Sequence, residues 1–227
     1  MSRSALIKSS LLKKYWMAAT GLFLCLFLVG HLLGNLQLLL PKQEAMLSFN
    51  AYAKFMTTFP LVKVLSYITY FSILFHAIDG IILTIQNHKA RPVKYHYNKP
   101  SENSSWASRN MGLLGFILLF FLIVHMRSFW YEMHFGALPI DEFGNKNLYE
   151  ITTSAFENIY YVIFYVLCLF AISFHLLHGI QSAFKSVGAN HPKYNNIIMI
   201  FSYSFSILVP LLFCAIPITL YIRSLLY

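Results

Sequence analysis

Residues 15–40 read YWMAATGLFLCLFLVGHLLGNLQLLL, a run with no Asp, Glu, Lys or Arg. A helix that crosses a bilayer needs about 20 mostly apolar residues, and this run exceeds that. It is too long for a signal peptide, runs on through Gly30, His31 and Asn35, and lacks a small-residue cleavage site. It therefore reads as a spanning helix. Four further segments read the same way, at about 61–87, 111–130, 155–184 and 197–222. The expected fold is an all-α membrane protein: one domain over residues 1–227, built as a bundle of five transmembrane helices.

Composition agrees with that reading. Of the 227 residues 58% are hydrophobic and 11% charged, against about 25% charged in a soluble domain. A water-soluble globule and a disordered chain, which needs low hydrophobicity and high charge, are both excluded. Nucleic-acid binding is not expected despite the net charge of +9, because the basic residues are scattered between apolar stretches. Cys25, Cys168 and Cys214 all lie inside apolar runs without a CxxC or Cys/His cluster, so they read as packing residues.

Lys and Arg set orientation, since they are retained on the cytoplasmic side. Eleven fall in the N-terminal segment and the second and fourth loops, among them Lys13, Lys14, Arg91, Lys94, Lys99, Arg109 and Lys185. Six fall on the other side, together with Glu44, Glu132, Asp141, Glu142, Glu150 and Glu157. The N-terminus is expected inside and the C-terminus outside. The longest loop, Arg127 to Ser154, has room for a short interfacial helix.

Five of the nine histidines lie within spans: His31, His76, His125, His175 and His178. Ionisable groups at membrane depth are costly and mark functional sites. A lone one would suit a bond to a backbone carbonyl, but here four successive spans each carry one. His31 follows Lys14 by 17 residues and His125 follows Arg109 by 16, which places both roughly 25 Å from the inner charges. His76 comes 15 residues after Leu61 on an inward-running span, and His178 only 7 before Lys185, so both belong in the inner half. The result is an outer pair, His31 with His125, and an inner pair, His76 with His178. Two neutral imidazoles facing each other across a bundle suit the axial positions of haem iron. Zinc or copper would recruit carboxylate or thiolate neighbours, and a proton relay would want more acids than Asp79. His175 lies three residues from His178, so one helix is not expected to give both to one iron. His175, Asp79 and Arg109 are candidates for propionate or supporting contacts, Asp79 equally for a pair with a basic residue. Gly21, Gly30, Gly34, Gly80, Gly112, Gly115 and Gly179 flank these positions, as expected for close approach of a macrocycle or of another helix.

These residues resemble the membrane cytochrome b subunit of succinate dehydrogenase and fumarate reductase, in its five-helix, two-haem form. The similar stretches are Ala19-Thr20-Gly21-Leu22-Phe23-Leu24 through Gly30-His31-Leu32-Leu33-Gly34-Asn35, His76-Ala77-Ile78-Asp79-Gly80, Ala90-Arg91-Pro92, Ser108-Arg109-Asn110-Met111 to His125-Met126, and Phe174-His175-Leu176-Leu177-His178-Gly179-Ile180-Gln181-Ser182-Ala183-Phe184. Together they cover Lys13 to about Lys193. The resemblance implies two haem b groups, an outer one on His31 and His125 and an inner one on His76 and the His-Gly step at His178. It implies a bacterial-type cytoplasmic membrane, and partners on the cytoplasmic side: a flavoprotein with FAD and an iron–sulfur subunit, docked on the basic loop of Arg91, Lys94 and Lys99. Electrons would pass between the iron–sulfur clusters and a quinone, menaquinone by resemblance, with no succinate chemistry in this chain. The Glu that certain members carry two residues before the span-four ligand is Leu176 here. For the quinone site, Glu44 and Arg127 are the nearest candidates. The rival readings are the cytochrome b anchor of another dehydrogenase, such as a hydrogenase or nitrate reductase, and a haem-free transporter or scaffold.

Overall fold

The computed structural model describes residues 10–90 and 99–226. Five of its helices are long and apolar enough to cross a membrane: Leu11–Leu39, Pro60–Lys89, Met111–Phe135, Ile159–Ser186 and Pro192–Leu226. Among the described residues there is no β-strand, only an isolated bridge between Ile140 and Lys146.

Helix α1 (Ser10–Asn35) tightens into a 3-10 turn, Leu36–Leu39, and is followed by α2 (Lys42–Thr58). Pro60 opens α3 (Pro60–Lys89), where a missing N–H costs nothing. Two single turns, Pro100–Asn103 and Trp106–Arg109, lead into α4 (Met111–His125). That helix continues through a π turn, Met126–Trp130, to Phe135, five residues beyond the expected end. The loop that follows holds a short helix, α5 (Leu148–Ala155), capped by the Asn147 side chain. Then comes α6 (Ile159–Ser186), which starts four residues later than expected because the Asn158 side chain accepts the Tyr160 N–H (2.9 Å) and begins a new helix there. It ends at Gly188, whose φ of +86° lets the Ala189 N–H reach back to the Phe184 carbonyl. The last helix is α7 (Pro192–Leu226).

Helices α1, α3, α4 and α6 form a ring in that order, with α6 closing against α1, and α7 packs outside on α6 and α1. Pro210 sits inside α7, where it removes a donor and frees the carbonyl of Ser206. The Ser173 hydroxyl of α6 takes that carbonyl at 2.6 Å. At membrane depth a freed backbone group must find such a partner, so the proline and the serine fix the α6–α7 contact together.

One end of the ring is capped. Leu38, Ala45, Phe49, Tyr149, Phe156, Val162, Tyr165, Ile216 and Leu220 pack there beneath α2 and α5. Asn50, fully buried, donates to Asp141 (3.3 Å) and Asn147 (3.1 Å) and accepts the Tyr149 N–H (3.0 Å), tying α2 to the loop. The Arg223 guanidinium donates to the carbonyls of Leu38, Leu39 and Leu40 at 3.1, 2.6 and 2.8 Å, so α7 closes the end of α1. The opposite, open end carries Lys14, Lys89, Lys99, Arg109 and Lys185. Only 11% of the spanning window of α3 and 6% of that of α4 is buried, against 33% for α6 and α7, which leaves the α3–α4 side for lipid or for other molecules.

Candidate functional site

Two pairs of histidines meet across the diagonals of the ring. His31 of α1 faces His125 of α4, ring centroids 5.7 Å apart and planes at 87°. His76 of α3 faces His175 of α6 at 6.1 Å and 64°. The pairs lie at different depths. His76 packs beside Thr20 and Gly21 of α1, and Gly21 precedes His31 by ten residues, roughly 15 Å along a helix. The first pair is nearer the capped end and the second nearer the open end.

The inner pair differs from the expectation in one member. Depth along the sequence pairs His178 with His76; the structure sets the ring of His175 against it. A step of three residues changes depth by only about 4.5 Å but rotates the side chain about 60°, and helix packing decides that rotation. The Nδ1 of His175 is sealed from solvent and has no hydrogen-bond partner among the described residues. His178 instead lines a cleft with Ser105, Trp106, Phe174, Gln181 and Tyr203.

Second-layer partners hold the rings, and none of them was singled out from the sequence. The Tyr161 hydroxyl donates to Ser128 Oγ (2.8 Å), so the Tyr165 hydroxyl, 3.1 Å away, donates to Tyr161. Tyr165 then accepts from Nδ1 of His125, at 3.1 Å. That chain protonates Nδ1 and leaves the other ring nitrogen, Nε2, as a free donor of electrons. The Thr20 hydroxyl donates to the Trp16 carbonyl (2.9 Å) and so accepts from His76 Nδ1 at 3.2 Å, with the same result. Among the described residues the His31 ring has one hydrogen-bond contact, a long one of 3.5 Å from Asn35. Aromatic rings enclose the capped-end pair: Phe27 stacks on His31 (5.3 Å) and Phe121 on His125 (5.6 Å), with Phe129 and Phe213 alongside. The signal that would have found the hydroxyls is the i, i+4 pair Tyr161 and Tyr165, facing inward from a span.

The glycines divide into two kinds. A Cβ on Gly21 would come within 3.2 Å of the His76 ring, and one on Gly112 within 2.9 Å of Thr84, while Gly34 sits under the Tyr52 ring. Those three permit close packing. A Cβ on Gly30, Gly115 or Gly179 would meet nothing within 4 Å. Asp79 has no hydrogen bond or ion pair among the described residues. Arg109 donates to the Ser104 carbonyl at the open end. Glu44 is exposed in the first turn of α2, Arg127 pairs with Glu132 and lies over the Tyr131 ring, and among the described residues the two form no ion pair with each other. Arg91 and Lys94 lie outside the described residues, and Lys99 pairs with Glu102 at 3.0 Å.

The donor set fits axial ligation of haem. With metal–imidazole bonds of about 2 Å, two rings on opposite sides of one iron have centroids roughly 6 Å apart, and both pairs lie close to that. Among the described residues no third His, Cys, Asp or Glu joins either pair. Two imidazoles alone suit a metal whose remaining positions a macrocycle fills. Comparison with known proteins found no matching family model, no curated relative and no similar solved structure.

Proposed function

We propose that this chain is the membrane-anchor cytochrome b of a succinate dehydrogenase or fumarate reductase complex. In this reading it passes electrons between an iron–sulfur subunit and a quinone, menaquinone by the resemblance. The observation that carries the proposal is the pairing of histidines across both diagonals of the ring, at two depths. His31 and His125 would hold the outer haem b, at the capped end. His76 and His175, in place of His178, would hold the inner one. Bound haem supplies reversible one-electron chemistry. The chain supplies the rest: Tyr165 and Thr20 orient their imidazoles, Phe27, Phe121, Phe129 and Phe213 keep water out, and the apolar bundle lowers the dielectric around the pair. The basic open end would lie in the cytoplasm and dock the iron–sulfur and flavoprotein subunits. The capped end would face the outside, and quinone would exchange there.

The test is a haem count. The complex is purified in mild detergent and its haem is quantified per chain as the pyridine haemochrome. Two b haems per chain are expected, one in His175→Ala, and two in His178→Ala. A protein that is intact and colourless would overturn the electron-transfer reading in favour of a transporter or scaffold. Loss of a haem in His178→Ala but not in His175→Ala would return the inner site to His178.

A further inference from the structure

At the open end a cleft of about 420 Å³ lies between the start of α1 and the end of α6. Lys14, Tyr15, Ser182, Lys185 and Ser186 line it, and Leu11 forms an apolar edge. Neither lysine has an ion pair or a hydrogen bond among the described residues. The Ser186 hydroxyl donates to the Ser182 carbonyl (2.9 Å), while the Ser182 hydroxyl has no partner among the described residues. Among the described residues the loops of this end hold one acid, Glu102, and Lys99 takes it. Among the described residues the cleft thus brings together two cations and no anion to meet them.

Depth identifies what would. Lys14 directly precedes the uncharged run of α1, and Lys185 directly follows that of α6. Both ammonium groups therefore sit where the apolar core of the membrane gives way to its headgroups. Tyr15 and Trp16, 45% and 50% exposed, stand at the same level, as interfacial aromatic residues do. A basic pocket between spanning helices at this level is suited to an anionic lipid headgroup. The turn at Gly188 occupies the carbonyls of Ala183, Phe184 and Lys185 at the end of α6, which lessens the repulsion of an anion there.

We propose that this cleft binds the phosphodiester of an anionic phospholipid, with Lys14 and Lys185 on its oxygens, the Ser182 hydroxyl as a further donor, and an acyl chain along Leu11. The site is independent of the haem reading.

The test uses the purified full chain in its complex, in nonionic detergent, with thermal unfolding as the readout. Phosphatidylglycerol is titrated in, with phosphatidylcholine and inorganic phosphate as comparisons. Phosphatidylglycerol is expected to raise Tm saturably and the comparisons to leave it unchanged. Lys14→Gln/Lys185→Gln should unfold at the wild-type temperature without lipid and bind roughly 30-fold more weakly, equivalent to about 1 kcal/mol per lysine. A control pair, Lys54→Gln/Lys63→Gln, exposed at the capped end, should respond as wild type. Equal responses to phosphatidylcholine, or equal losses in the two double variants, would overturn the proposal. A response to inorganic phosphate alone would assign the cleft to a free anion and overturn it too. So would a change in a haem band on substituting the lysines without any lipid effect in the wild type, since that would give the cleft to a cofactor carboxylate.

Discussion

Replacing Tyr165 by Phe removes one oxygen and keeps the ring, so the perturbation is confined to hydrogen bonding. Tyr165 is only 6% exposed, and its hydroxyl makes both the bond to His125 Nδ1 and the bond to Tyr161. Without it the Nδ1–H of His125 has no acceptor, and water is excluded by Phe121, Phe129 and Phe156, which pack round it. A buried donor stranded in this way costs about 1–3 kcal/mol. The ring escapes that cost by turning or by moving its proton to Nε2, and either response withdraws the ligating nitrogen. If the proposed outer haem is bound there, the cost as an equilibrium constant is roughly 5- to 150-fold in its retention, in line with the ~10- to 100-fold lost when an outer-layer partner of a metal ligand is removed. The assay is haem retention by the purified complex against a haem-scavenging apoprotein, read as the pyridine haemochrome, with a redox titration to tell the two haems apart. Tyr165→Phe should lose the outer haem selectively. Tyr161→Phe, one bond further out, should lose less. Wild-type retention in Tyr165→Phe, or preferential loss of the inner haem, would refute the tautomer reasoning.

Ser173→Ala should lower stability by ~1 kcal/mol, since it strands the Ser206 carbonyl; restoring the missing N–H with Pro210→Ala should make that loss smaller in the double variant than in the single one, measured by thermal unfolding in detergent. Additive losses would mean that the serine and the proline act separately. Arg223→Ala removes three bonds to carbonyls, each worth ~1.5–3 kcal/mol when one partner is charged; a loss of at least ~3 kcal/mol is expected, with Arg223→Lys recovering less than half because an ammonium cannot span three acceptors. Burial disfavours the charge on Asp141, but hydrogen bonds from the N–H and amide of Asn145, the N–H of Phe143 and the amide of Asn50 outweigh it and hold the carboxyl below the usual range. A lowered folded-state value contributes stability that is complete above the unfolded pKa of about 3.9 and lost as pH falls through the lower folded value. Limited proteolysis of residues 136–147 between pH 6 and 3 should therefore show the loop loosening at the acid end, and Asp141→Asn should be loose throughout.

The five spans were legible because a bilayer imposes about 20 apolar residues on each, whatever the helix packs against. Helix α2 was not: Lys42–Thr58 mixes polar and apolar residues, is too short to cross, and is held by tertiary contacts such as those of its Asn50 with Asp141 and Asn147. The four histidine-bearing spans were also legible, because an imidazole is conspicuous among Leu and Phe. The rotation of each histidine was not. His175 and His178 differ by less than one turn, and only the packing of α6 against its neighbours turns the first toward His76 and the second toward the cleft of Trp106. The hydroxyl chain from Ser128 through Tyr161 to Tyr165 joins α4 to α6, and while the i, i+4 spacing sets the two tyrosines together, no count along one sequence segment brings Ser128 to them.

The π turn at Met126–Trp130 follows directly on His125. Such a turn holds one residue more than a regular helical turn, so the residues beyond it stand about 100° behind where an unbroken α-helix would place them. On this register Ser128 accepts from Tyr161 while Trp130 donates to Tyr70 at 2.7 Å, so one helix serves α6 with one residue and α3 with another just past its histidine. The same residues wound as an unbroken α-helix would carry these two sets of partners out of phase, and the chain would have to give up either the Tyr161 contact or the Tyr70 contact.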